Sequence, residues 1–96
     1  MKIEIHPAAQ AELTAASTYY ETTVPGLGED FLGEFHGAIE QITRHAEIGV
    51  LVETPHRRVI LNRFPYSVYY RVKGSVLRIT AVSHQHRKPG YWITRR

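Results

Sequence analysis

Near its C-terminus the chain places two histidines one residue apart, His84 and His86, followed at once by Arg87 and Lys88 and then by Tyr91 and Trp92. An imidazole changes charge near neutral pH and can move protons, and a guanidinium clamps a phosphate or a carboxylate through a rigid fork of donors. His84 has two readings, a proton-transfer group or a residue that caps the edge of a strand. Tyr91 and Trp92 likewise either anchor the terminal segment or offer a face on which a base stacks. The H-x-H pair would put two imidazoles on one strand face, but no carboxylate or third ligand lies nearby in sequence, so no metal centre is expected. With no cysteine in the chain, thiol nucleophiles, iron–sulfur clusters and cysteine-held zinc are removed as well. No cofactor is expected.

Charge is divided unevenly along the sequence. Residues 1–50 carry two basic side chains, Lys2 and Arg44, against eight acidic ones, whereas residues 51–96 carry ten basic side chains against Glu53 alone. The second half is therefore either a positive field that draws a polyanion or an acidic protein segment, or a solvated basic rim balancing an acidic helical pair. Arg71 and Arg78 have the same two readings, a phosphate site or arginines that guard a sheet face. Arg95 and Arg96, at the end, are expected to be mobile.

The elements that must position these groups follow from periodicity. Ninety-six residues make a single domain, residues 1–96, and leave no room for a separate cofactor domain. Ile3 and Ile5 alternate with polar neighbours as a short strand. Pro7 then suits a helix first turn, and Ala9, Leu13, Ala16 and Tyr20 form one stripe of a helix running to about Thr22. Thr23-Val-Pro-Gly-Leu-Gly is a turn. A second helix from about Glu29 to Ala46 shows Leu32, Phe35, Ile39 and Ile42 on one face, widened by Phe31 and Ala38; Gly33 and Gly37 leave room there for a close contact. Glu47 to Arg57 reads as a connection. Val59-Ile-Leu61, Ser67–Val72 and Ser75–Ser83 read as strands. A two-residue loop at Lys73-Gly74 would pair Tyr70 with Leu77 and Val68 with Ile79, giving a core side with Val72 and Ala81 and an open, aromatic, basic side with Tyr69, Arg71, Arg78 and Thr80. Pro89 begins a short C-terminal helix or turn. The expected architecture is an α+β fold, β-α-α-β-β-β plus a short C-terminal helix, with a helical hairpin on one face of a small antiparallel sheet. No secretory signal or membrane span is legible, so a cytoplasmic location is expected.

The Val-Pro-Gly-Leu-Gly turn, the Arg63-Phe-Pro-Tyr66 bend with Tyr70-Arg71, and His84-x-x-Arg87 with Pro89 and Trp92 together resemble the RelE/ParE family of bacterial toxins. The resemblance covers nearly the whole chain. It implies the toxin half of a type II toxin–antitoxin module of the plasmid-stabilisation type, held inactive by a cognate antitoxin encoded by the adjacent gene and arresting growth when that antitoxin is lost. One branch of the family enters the ribosome and cleaves messenger RNA without a metal; in that reading Arg71 and Arg87 would hold the phosphate, His84 would transfer the proton and Tyr91 would stack on a base. The other branch poisons DNA gyrase. The turn, the acidic first half and the absence of lysine between Lys2 and Lys73 resemble this ParE side, for which Arg57, Arg58, Arg63, Tyr69, Arg78 and Lys88 would meet a partner's carboxylates. An inactive relative that only binds antitoxin is the third alternative.

Overall fold

The computed structural model describes residues 1–96. In chain order the elements are β1 (Lys2–Ile5), α1 (Pro7–Thr23), α2 (Leu27–Arg44), β2 (Val50–Glu53), β3 (His56–Ile60), β4 (Tyr66–Lys73) and β5 (Val76–His84). The sheet runs β1-β5-β4-β3-β2, with β1 parallel to β5 and every other pair antiparallel. This is the expected α+β architecture with one more strand, and the sheet is mixed where an antiparallel one was expected, because the α1–α2 hairpin and three further strands intervene before β5 returns alongside β1 in the same direction. Val50–Glu53, expected as a connection, pairs with β3 as the sheet's outer strand; its short Val-Leu-Val run lies between a glycine and a proline, which made it read as loop. No helix is long and apolar enough to cross a membrane.

Pro7 occupies the first turn of α1, and the His6 ring accepts from Ala8 N–H at 3.0 Å to cap it. Ala9, Leu13 and Ala16 are the buried stripe. On α2 the buried face is centred on Phe31, Phe35, Ala38 and Ile42, with Leu32 at its margin. Gly33 and Gly37 face open space. The close approach falls at Gly28 instead, where a Cβ would meet the Ser17 carbonyl oxygen at 2.5 Å. Glu21 secures the same turn by accepting from Gly26 N–H at 2.8 Å and Gly28 N–H at 3.0 Å, so the Pro-Gly-Leu-Gly segment packs one helix end against the other. The α2 N-terminus thereby gains a carboxylate where its dipole favours one.

The hairpin register departs from expectation. Lys73 pairs with Val76, so the loop is Gly74-Ser75, with Gly74 at φ 61° supplying the left-handed first position. Tyr70 consequently faces Ile79, Val72 faces Leu77, and Arg78 lies opposite Arg71 rather than Tyr69. An irregularity at Thr80 then shifts the alternation. Val82 joins the core beneath the helices, while Ala81, expected on that side, pairs with Tyr69 on the other.

Tyr70 ties the connection after α2 to the sheet. Its buried phenol donates to the Ala46 carbonyl at 2.8 Å and accepts from Gly49 N–H at 3.0 Å. Tyr70→Phe is expected to leave both backbone groups without that partner and to cost about 1–2 kcal/mol, read as a lower urea midpoint at unchanged slope.

Candidate functional site

Residues 85–96 form neither helix nor strand. The expected C-terminal helix is replaced by turns, in which Ile93 N–H donates to Gly90 O at 3.1 Å and Arg95 N–H to Trp92 O at 2.9 Å. The segment is a strap, held by contacts far away in sequence. Strand β1 ends at Ile5, opposite Ile79, so the second half of β5 has a free edge. Glu12 of α1 fills it: one carboxylate oxygen accepts from Val82 N–H at 3.0 Å and from Arg95 Nη1 at 2.9 Å, and the other accepts from Tyr91 Oη at 2.6 Å and from Arg95 Nη2 at 2.9 Å. The Arg87 guanidinium lies 4.0 Å over the Tyr91 ring and 3.9 Å from Glu12. Arg95, expected to be mobile, is thus a bidentate partner of a carboxylate that is 15 % exposed. Arg78 also donates to the Arg96 carbonyl.

These contacts set the charge states. Burial pushes the Glu12 carboxyl up, but the hydrogen bonds from Arg95, Tyr91 and Val82 and the Arg95 charge outweigh it and hold it below its ordinary 4.5. Burial, then the hydrogen bond to Glu12, raises the Tyr91 phenol above its ordinary 10.0, so it remains a donor.

Across the strap, Trp92 covers the face of the sheet opposite the helices. Its ring is 4.6 Å from Tyr69 and 4.8 Å from His56. The face expected to be open is therefore partly roofed. Beside the roof is a cleft of about 310 Å³ lined by Arg58, Tyr69, His84, Arg87, Lys88, Tyr91 and Trp92 among others. His84 ends β5; its Nδ1 accepts from His86 N–H at 3.0 Å, and its ring meets Tyr66 edge-on at 5.1 Å. That bond places the proton of the neutral ring on Nε2.

The other named residues lie apart from this group. Arg71 faces Arg78 beside Glu4 and Lys73, at the far end of β5 from His84. Five residue steps of β4 separate Arg71 from Tyr66, the ladder partner of His84, about 17 Å. Arg57 turns to the Gly49 carbonyl at 2.9 Å and to Glu47 at 3.7 Å. Arg63 sits against α2, 3.5 Å from Asp30, with its N–H donating to Glu34 at 2.8 Å. Arg78 reaches Glu4 at 3.4 Å. Much of the uneven charge is hence internal, acidic residues of the first half pairing with basic residues of the second. Arg58, Arg71, Lys73 and Lys88 enter none of these ion pairs.

Glu12, the centre of the arrangement, was not among the residues expected from sequence. The available signal was a carboxylate on the stripe of Ala9, Leu13 and Ala16, where a helix buries its side chains.

A helical hairpin on one face of a mixed sheet, with a strap latched over the other face, defines a small α+β protein that presents a basic, aromatic surface. Residues 3–89 match the family described as "ParE toxin of type II toxin-antitoxin system, parDE". A solved structure titled "Chromosomal ParDE TA system from P. aeruginosa" is similar at 26% identity and a TM-score of 0.63, over 88% of this chain and 95% of that one. A search of curated proteins gives no match. The chain belongs to the ParE toxin family and is a ParE-type toxin of a type II toxin–antitoxin module.

Proposed function

We infer that this toxin arrests growth by binding an essential protein, DNA gyrase, when its antitoxin is lost, rather than by cleaving messenger RNA. The observation that carries the reading is that Arg71, one of the four groups a metal-free cleavage would recruit, lies apart from the cleft that His84, Arg87 and Tyr91 line together. Arg71 stands about 17 Å along β4 from Tyr66, the ladder partner of His84, and Tyr91 Oη donates to Glu12 while the half-exposed Arg87 guanidinium lies 3.9 Å from the same carboxylate. Phosphodiester cleavage needs cations and proton-transfer groups within hydrogen-bond reach of one phosphate. A protein interface makes no such demand; it uses aromatic and arginine anchors on a preformed surface, of which the half-buried Tyr69 and Arg58 lining the cleft are examples. The antitoxin of the module is the second partner, an acidic segment suited to the basic residues left without internal partners.

Purified toxin is expected to inhibit gyrase supercoiling, and to leave messenger RNA intact in a defined translation reaction mapped by primer extension. The double variant His84→Ala, Arg87→Ala is expected to retain that inhibition. Ribosome-dependent cleavage abolished by the same variant would replace the reading with a nuclease. Unaffected growth and supercoiling would leave only antitoxin binding.

A further inference from the structure

Pro7 leaves half of β5 without a neighbouring strand. It has no N–H to donate and it opens α1, so the ladder that β1 makes with β5 ends where His6 N–H donates to Ile79 O at 2.9 Å. Beyond that point Thr80–His84 is a sheet edge. The run reads Thr-Ala-Val-Ser-His, with two β-branched residues and no proline, lysine or carboxylate to discourage pairing. The opposite edge, β2, is guarded differently, by its short length and by the irregularity between Leu51 and Glu53.

Two side chains occupy the place of the missing strand. Glu12 Oε1 accepts from Val82 N–H at 3.0 Å, and Arg95 Nη1 donates to Thr80 O at 3.1 Å. In a parallel ladder a single residue opposite Ala81 would make both bonds, giving its N–H to Thr80 O and accepting from Val82 N–H. The pair is also closed on itself, since Arg95 Nη1 and Nη2 each reach a carboxylate oxygen of Glu12 at 2.9 Å. It reproduces the donor and the acceptor of one peptide unit.

We propose that the pair of Glu12 and Arg95 is a built-in plug of the sheet edge, and that without it two copies of the toxin join through Thr80–His84. The second copy is the occupant because this edge is complementary to itself. Val82 N–H points outward to Glu12, and the carbonyl of a strand residue points the same way as its N–H. About a two-fold axis at Val82, each copy's Val82 N–H meets the other's Val82 carbonyl, and each His84 N–H meets the other's Thr80 carbonyl. The strands are then antiparallel, as a two-fold contact between identical edges requires. With the plug in place, Glu12 and Arg95 stand where the second strand would lie, so the wild-type chain satisfies its edge alone. The device is independent of the target that the toxin binds.

Light scattering after size exclusion, over a concentration series, gives the mass of full-length wild type, of the double variant Glu12→Ala, Arg95→Ala, and of the exchanged pair Glu12→Arg, Arg95→Glu. The double alanine leaves no charge stranded at the edge. The exchange keeps opposite charges together but turns a donor towards Val82 N–H and an acceptor towards Thr80 O, so it separates the plug from a mere ion pair, and it stands in should the alanine variant lose its fold. Wild type is expected at monomer mass throughout, and both variants at doubled mass as concentration rises. Amide hydrogen exchange locates the contact. Val82 N–H is expected to exchange severalfold faster than wild type in dilute variant, and to regain protection as the dimer forms. Variants that keep the wild-type far-UV circular dichroism yet stay monomeric at every concentration would overturn the proposal, as would wild type dimerising as readily as they do. Dimers in which Val82 N–H stays fast would place the contact elsewhere and overturn the edge.

Discussion

Replacing Glu12 with alanine is expected to destabilise the toxin by about 3 kcal/mol, because removing one member of a largely buried ion pair leaves the other without compensation. Arg95 would remain 15% exposed with a full charge and no carboxylate, Tyr91 Oη would lose its acceptor, and Val82 N–H would become an unpaired group on a strand edge. Glu12→Gln keeps the shape but offers one acceptor oxygen to donors on all sides, so it is expected to fall between wild type and alanine. The same carboxylate gives the toxin a pH signature. Its folded pKa lies below the ordinary 4.5, so in that window the unfolded chain binds more protons and stability rises with pH. The contribution is complete above the unfolded value and is lost as pH falls through the folded one. Urea midpoints of wild type and Glu12→Gln, taken between about pH 3 and 6, are expected to converge on acidification. A constant gap across that range would show that the Glu12 charge does not carry the latch.

How much of this was legible in the sequence depends on how local each determinant is. The stripe of Ala9, Leu13 and Ala16 and the run from Phe31 to Ile42 are helical signals contained in a few turns, and they give the hairpin of helices directly. Strand identity was equally local for Ser67–Val72. Register was not, because Lys73-Gly74 and Gly74-Ser75 both place a glycine in a two-residue loop, and both registers keep Tyr70 and Leu77 on the core face. The shift at Thr80 leaves no trace in the alternation that precedes it. The strap was least legible. Its contacts join Glu12 to Tyr91 and Arg95, 79 and 83 residues apart, and no periodicity reports a contact of that span. The candidate site divided along the same line: His84, Arg87 and Lys88 neighbour one another because they neighbour in sequence, whereas the distance from Arg71 to His84 follows from strand geometry that residue types do not reveal.

Phe31→Ala is expected to be the most damaging single truncation in the core, about 3–5 kcal/mol. Phe31 is fully buried at the point where both helices meet the bend before β4. Its ring stands 5.1 Å from Phe64 at 88°, 5.1 Å from Tyr66 at 71° and 5.4 Å from Tyr20. Tyr20 in turn lies 4.8 Å from Phe64. Truncation therefore removes a large apolar side chain and three aromatic contacts at once. It also leaves a void walled by α1, α2 and the Phe64 bend, where the Gly28 contact with Ser17 limits how far α2 can settle. For a domain of this size each kcal/mol moves the thermal midpoint by roughly 4–8 °C, so calorimetry is expected to record a fall well beyond 10 °C. Phe31→Leu separates the two causes: it refills much of the volume while losing the edge-to-face geometry, worth about 0.5–1.5 kcal/mol per pair. A leucine variant as stable as wild type would show that volume alone matters at this position. One nearly as unstable as alanine would place the cost in the ring contacts, and with it the orientation of Tyr66, against which the His84 ring is held.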